Sequence, residues 1–279
     1  MNRIIFFLVL LAGIVVAIPR AGAQMMDVMT YNIKYDNPDA GMNAWDARKE
    51  QVVSQILFYE PAVFGIQEGL HHQVSYLKEQ LPGYDYIGVG RDDGHTAGEY
   101  SAIFYNSRLL EVVRHHTFWL SDTPEQPSVG WDAAMERICT RALLKNKKSD
   151  KPFWIFNTHF DHVGEKARLQ SARLILDKIR ELNTGGVPVV LMGDLNAGPS
   201  DPPIRAISAE MKDSRLATRT PAFGPEGTYN GFHFNRPVTR RIDYIFVDGV
   251  QVLKYGVLSD PEDLHYPSDH FPVLARIKF

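Results

Sequence analysis

Six apolar residues, Val187-Pro-Val-Val-Leu-Met192, are closed by Gly193-Asp194-Leu195-Asn196. β-Branched and large apolar residues in a short stretch bounded by glycine predict a strand of the core. A strand that ends in Asp and Asn aims a carboxylate and an amide into the crevice at its carboxyl end. The pattern recurs four times. Residues 25–32 end in an amide, 62–68 in a carboxylate and 153–159 in an imidazole, and Ser268-Asp269-His270 precedes a last strand over 271–279. Core packing does not ask for five polar strand ends. The chain is therefore expected to build a sheet whose strand ends form a polar floor.

Further strands are expected over 84–89, 99–105, 110–119, 138–144, 241–247 and 250–257, and Lys145-Asn-Lys-Lys148 reads as a hairpin tip. Helices are fewer. Residues 46–60 place Val52, Val53, Ile56 and Leu57 on one face, and 72–81 carry Val74, Leu77 and Leu81 at helical spacing. The longest helix is expected over 165–182, striped by Leu169, Ala172, Leu176 and Ile179, with a short one over 203–211. Helices and strands alternate too loosely for a doubly wound parallel sheet. The expectation is an α/β chain of the α+β type: two packed mixed sheets flanked by helices. Long loops over 36–44, 91–98, 121–135, 197–202 and 219–237 adjoin the polar strand ends and are expected to wall a cleft.

The amino terminus reads separately. Arg3, an apolar stretch from Ile4 to Ile18 and the small-residue site Ala21-Gly22-Ala23 have the layout of a cleavable secretory signal over 1–23, too short for a confident membrane span. Residues 24–279 are then expected to form one catalytic domain, exported to the periplasm or beyond, monomeric, with no stable membrane insertion. Removing Arg3 and Arg20 takes the formal charge from −3 to −5. That balance argues against tight, indiscriminate binding to long nucleic acid. The single cysteine, Cys139, lies in a strand-like run and forms no internal disulfide, so the fold rests on its core.

The polar strand ends suit the hydrolysis of a phosphate ester, which needs charge neutralisation at phosphorus, a positioned water and help for the departing alkoxide. Asn32, Glu68, Asp194, Asn196 and Asp269 offer hard oxygen ligands and acceptors, which match Mg²⁺ or Mn²⁺. No HExxH or CxxC group points to zinc, and no G-x-S-x-G elbow points to a serine hydrolase. A non-catalytic surface adhesin is the alternative of a different class.

Thr30-Tyr-Asn32, Ile66-Gln-Glu68, Asn157-Thr-His159, Gly193-Asp-Leu-Asn196, Arg241-Ile-Asp243 and Ser268-Asp-His270 occur in that order. In this the chain resembles the endonuclease/exonuclease/phosphatase superfamily, which includes DNase I, deadenylases, inositol-polyphosphate 5-phosphatases and sphingomyelinases. Gly98-Glu-Tyr-Ser-Ala-Ile, Trp131-Asp and Thr158-His-Phe-Asp-His are more narrowly similar to an exported bacterial branch related to the deadenylase type. The resemblance implies a four-layered DNase I-like sandwich and a Mg²⁺- or Mn²⁺-dependent phosphoesterase. It implies Glu68, Asn32 and Asp269 as metal ligands, Asp194 as activator of the water, and Asn196 beside the phosphate. His270, held by Asp243, and His159 would contact phosphate oxygens. Glu99, Arg137, His162 and Asn230 are candidate substrate contacts, with Arg168 and Arg241 nearby; the loop aromatics Trp131, Tyr229 and Phe232 are not counted as site residues. The leading expectation is a phosphodiesterase of nuclease type. The alternative is a phosphomonoesterase or small-molecule diesterase acting on inositol phosphates, sugar phosphates or lipid headgroups.

Overall fold

Both faces of the apolar runs are buried because the strands lie in two six-stranded sheets packed on each other and covered outside by helices. The computed structural model describes residues 24–279; the expected export signal over 1–23 lies outside the described residues. The first sheet contains β1 (Met25–Asn32), β2 (Val63–Gln67), β3 (Tyr84–Ile87), β4 (Ile103–Asn106), β11 (Gln251–Val257) and β12 (Val273–Lys278), in the order β11-β12-β1-β2-β4-β3. The second contains β5 (Leu110–Trp119), β6 (Ile138–Asn146), β7 (Pro152–His159), β8 (Val189–Asp194), β9 (Lys212–Asp213) and β10 (Asp243–Asp248), in the order β5-β6-β7-β8-β10-β9. Each sheet has one parallel pair, β1 with β2 and β7 with β8, flanked by antiparallel neighbours.

Alternation along β8 shows how the layers form. Val190 and Met192 point into the core between the sheets, beside Val28, Val63 and Ile245. Val189 and Leu191 point outward to α3 (Glu165–Leu182) and α4 (Pro202–Ser208), which bring Ala172, Ile175, Leu176, Ile204 and Ile207. The first sheet is covered likewise by α1 (Trp45–Tyr59) and α2 (His71–Gln80) through Trp45, Val52, Ile56, Val74 and Leu77. Cys139 is fully buried in the outer layer of the second sheet, and burial pushes its thiol far up. No helix among the described residues is long and apolar enough to cross a membrane.

One face residue and several boundaries differ from expectation. Leu57 is exposed while Val52 and Ile56 are buried, because one further residue turns the side chain about 100° from Ile56, off the inward stripe. The strand expected over 99–105 pairs only from Ile103, since Tyr100 instead bridges Gly69 and Gly90. The last strand pairs from Val273, after Pro272, which has no N–H, and Phe271, whose N–H goes to the Thr228 carbonyl. The strand expected over 241–247 starts its ladder at Asp243, opposite Asp194.

Polar groups cross between the sheets at Asn157. Asn157 on β7 donates its amide to the Ile66 and Ala102 carbonyls of the other sheet, at 2.8 and 2.9 Å. Its oxygen accepts from Gln67 Nε2 at 2.7 Å, and Gln67 Nε2 also donates to Thr30 Oγ1 at 3.0 Å. Gly65 makes room for this bolt: a Cβ there falls 2.4 Å from Asn157 Cγ and Oδ1 and 2.7 Å from Met192 Cε. Gly65→Val is therefore expected to lower stability by about 2–3 kcal/mol, read as a shift of the urea midpoint at unchanged slope.

Candidate active site

The carboxyl ends of β1, β2, β7 and β8 and the starts of β10 and β12 meet at one edge of the sandwich. Register brings the groups level: His159 pairs with Asp194 across β7–β8, and Asp243 pairs with Asp194 across β8–β10. One oxygen or nitrogen each from Glu68, Asp194 and His270 lies within 4.8 Å of the others. Above them opens a cavity of about 570 Å³ lined by Glu68, Asp194, Asn196, His159, Asp269 and His270, among others.

Asn32 joins the two sheets beneath this floor. Fully buried, it donates its amide hydrogens to Glu68 Oε1 at 2.9 Å and Asp194 Oδ2 at 3.0 Å, and its oxygen accepts from the Lys34 N–H at 3.0 Å. The backbone must turn sharply after each strand to aim these groups. Lys34, Glu68 and Asn196 all adopt left-handed φ, at 57°, 63° and 45°. Such residues cost about 1–3 kcal/mol each and persist only where neighbours over-determine them. Arg48 of α1 supplies one clamp, donating to the carbonyls of Ile33, Lys34 and Pro267. Gln73 of α2 adds a second bond to the Lys34 carbonyl, and the Asn196 N–H donates to Asp194 Oδ1 at 2.9 Å.

Charge is tightly coupled here. Burial pushes Asp194 up and nearby Asp243 pushes it further, against His270 and two hydrogen bonds, so that its carboxyl titrates at about 7. Burial alone would lower the His270 imidazolium, yet the Asp243 and Asp194 carboxylates outweigh it and push it up to about 10. Asp243 Oδ2 accepts from His270 Nδ1 at 2.9 Å and is itself buried behind the ring. Burial also raises Asp269, with the Glu68 charge adding to it. Burial works against Glu68 as well, but Lys34, His270 and bonds from Asn32 and the Tyr35 N–H hold it below the usual carboxylate range. Burial, then the charges of Arg137 and Arg91, lower the His159 imidazolium well below its ordinary value. Its Nε2 lies 3.1 Å from Asn196 Nδ2.

The donor set fits a divalent cation. Glu68 and Asp269 are hard oxygen donors, and Asp269 Oδ1 is buried without a hydrogen-bond partner. The Lys34 ammonium already stands against both carboxylates, 3.3 Å from Glu68 Oε2 and 3.6 Å from Asp269 Oδ2. His270, protonated and held by Asp243, offers no free lone pair to a metal.

Of the candidate substrate contacts, Glu99, Arg137 and His162 line the cavity, but Asn230 does not. Its amide donates to the Ser268 carbonyl at 3.0 Å, and its N–H to that of Asp269 at 2.8 Å, so it holds the Ser268–His270 turn from behind. Arg241 is also turned away, in a buried pair with Asp213 at 2.5 Å, and Arg168 donates to the Asp161 carbonyl. Tyr229 stands edge-on to His270 with ring centroids 5.1 Å apart. Sequence reasoning missed Lys34, Arg91, Met135 and Arg240 in the wall and Arg48 beneath it. Lys34 had a signal, lying two residues past Asn32; the others sit in loops or on a helix with no pattern of their own.

These features agree with the comparisons to known proteins. A model described as the Endonuclease/Exonuclease/phosphatase family matches residues 29–270. The chain belongs to this family. A crystal structure of a family protein from Bacteroides thetaiotaomicron superposes with a TM-score of 0.89 at 38% identity, covering 92% of this chain and 98% of that one. A mannosyl-6-phosphatase of the same organism gives 0.87 at 39% identity, over 91% of this chain and 100% of that one. Among curated proteins, the CCR4-Not complex 3'-5'-exoribonuclease subunit of Mycosarcoma maydis is 20% identical over 92% of this chain and 51% of its own. The chain spans only 51–59% of the length of the first curated relatives it matches.

The raised Asp194 pKa has a consequence for stability. An acid whose folded pKa lies above its unfolded value of 3.8 favours the fold most while protonated, and that contribution falls as pH rises from about 4 to about 7. In EDTA, Asp194→Asn is therefore expected to gain in melting temperature relative to the wild type as pH rises through this window. A difference that stays flat from pH 4 to 7 contradicts the assignment.

Proposed function

We propose that the chain is a Mg²⁺- or Mn²⁺-dependent phosphoesterase acting on a compact phosphate ester, with a sugar phosphate as the favoured substrate. The observation that carries this reading is the meeting of Glu68, Asp194 and His270 within 4.8 Å at the floor of a walled cavity. Support for a small substrate comes from the pairing of two of the cavity's arginines, Arg91 with Glu99 and Arg137 with Asp161, which leaves Arg240 over the Tyr229 ring rather than a continuous basic track for a polynucleotide. Similarity over full length to a mannosyl-6-phosphatase points the same way. Hydrolysis of a phosphodiester in nucleic acid is the second reading, supported by similarity to exoribonucleases.

In this reading Glu68, Asp269 and Asn32 would hold the cation. When bound, the cation neutralises phosphate charge and stabilises the departing oxygen. Asp194 orients water and takes its proton; a carboxyl titrating near 7 is matched to that task at neutral pH. Water oxygen bonds to phosphorus in line as the ester P–O bond breaks. His270 donates to a non-bridging oxygen from Nε2 while Asp243 keeps it charged and aimed. Asn196 and His159 make further phosphate contacts. We also propose that residues 1–23 direct export and are removed, leaving Gln24 at the amino terminus; sequencing that terminus in the exported protein checks it.

Turnover requires Asp194 ionised and His270 protonated. The first condition fails as pH falls through about 7 and the second as pH rises through about 10, giving a bell-shaped kcat/KM. The dication draws both limbs to lower pH without changing their order. Asp243→Asn is expected to cut kcat by about 10²-fold, to move the alkaline limb toward neutrality and to move the acid limb lower, because the Asp243 charge raises both His270 and Asp194. Asp194→Asn should cost about 10³-fold or more. Chelation should abolish hydrolysis of p-nitrophenyl phosphate, restored by Mg²⁺ or Mn²⁺. An Asp194→Asn protein with near-normal turnover removes the assigned base.

A further inference from the structure

One part of the cavity wall is built from charges that cancel. Arg91 donates both terminal nitrogens to the Glu99 carboxylate at 2.8 and 3.0 Å. Arg137 Nε lies 3.3 Å from Asp161 Oδ2, and Asp161 is fixed in turn by the N–H groups of Ala134, Val163 and Gly164. Arg137 Nη2 donates to His162 Nδ1 at 3.0 Å. A guanidinium can only donate, so His162 Nδ1 accepts and its proton sits on Nε2. None of this exhausts the wall. Arg137 is 4% exposed, yet its Nη1 has no hydrogen-bond partner; Arg91 Nε makes no hydrogen bond either, with Asp92 Oδ1 at 3.6 Å. Buried donors left open in a cavity wall call for an acceptor from a ligand.

We propose that Arg137, Glu99, Arg91 and His162 form a specificity wall that reads the hydroxyl groups of a sugar or cyclitol ring whose phosphate lies at Asp194 and His270. The inference rests on the phosphoesterase reading and deepens it. A second phosphate on this wall would need surplus positive charge, whereas Arg91 and Arg137 already have their carboxylates and Arg240 stands over the Tyr229 ring. A nucleobase would need an aromatic face, and the cavity's two tyrosines stand elsewhere, Tyr35 against Lys34 and Tyr229 against His270. Neighbouring hydroxyls, each both donor and acceptor, match a wall that alternates guanidinium donors with the Glu99 carboxylate.

The test uses the full chain with Mn²⁺ and compares kcat/KM for mannose 6-phosphate, fructose 1,6-bisphosphate and p-nitrophenyl phosphate. Glu99→Gln keeps the shape of the wall and is the first variant. Arg137→Gln is the second, since loss of the Asp161 partner can disturb folding, and circular dichroism confirms both folds. For each, the ratio of the hexose monophosphate to p-nitrophenyl phosphate should fall by about tenfold or more, mainly through KM, with the pH profile unchanged. A ratio that moves less than about twofold, or a larger loss on the bisphosphate, overturns the wall. Wild-type turnover of p-nitrophenyl phosphate but of no hexose phosphate also overturns it and leaves the phosphoesterase reading standing. A wild-type chain that hydrolyses none of the three with metal sinks that underlying reading instead.

Discussion

Three carboxylates, Glu68, Asp194 and Asp269, are buried close enough to repel one another, and the amide of Asn32 spans two of them from opposite sheets. Bringing like charges out of water is costly unless something answers them. Three cations do so from different directions: Lys34 between Glu68 and Asp269, His270 against Asp194, and Arg48 beneath the strand-end turns. The remaining frustration appears as raised pKa values at Asp194 and Asp269. Such a site is a standing demand for positive charge, and the demand explains both its fit to a dication and the raised pKa of Asp194.

Holding that arrangement uses the rest of the fold. The left-handed turns at Lys34, Glu68 and Asn196 survive because Arg48 and Gln73 reach in from α1 and α2, and because Asp194 captures the Asn196 N–H. One layer down, Asn157 and Gln67 lock the two sheets in register, so that β1 and β2 deliver their ends beside those of β7 and β8. A slip of one residue in either sheet would turn every polar end toward the apolar core. The polar bolt and the apolar layers thus act on one quantity, the distance between two sheet edges.

Much of this was legible in the residues. The apolar runs named the central strands, and α3 ends where its pattern stops. The six polar segments named most of the cavity floor, because a strand end is a short signal carried entirely by its own sequence. The turn between β6 and β7 lies at Lys147–Ser149, overlapping the Lys145–Lys148 tip that its composition implies, with Lys145 and Asn146 still in the strand. What escaped were residues whose importance depends on a distant partner. Arg48 looks like any polar helix position until the carbonyls of Ile33, Lys34 and Pro267 surround it. Asn230 looks like a substrate contact, yet its hydrogen bonds are taken by the turn behind the site. Leu57 obeys the apolar pattern but lies off the buried stripe.

By itself the sequence determined which chemical groups the protein owns, and that they stand at the ends of buried strands. Local hydrophobic runs and their punctuation are properties of neighbouring residues, so they need no third dimension. Tertiary structure alone decided which groups face one cavity, which arginines are neutralised, and which carboxyl is lifted toward neutral pH. Those outcomes depend on burial and on separations of a few ångströms between residues far apart in the chain, quantities that exist only once the sheets have packed.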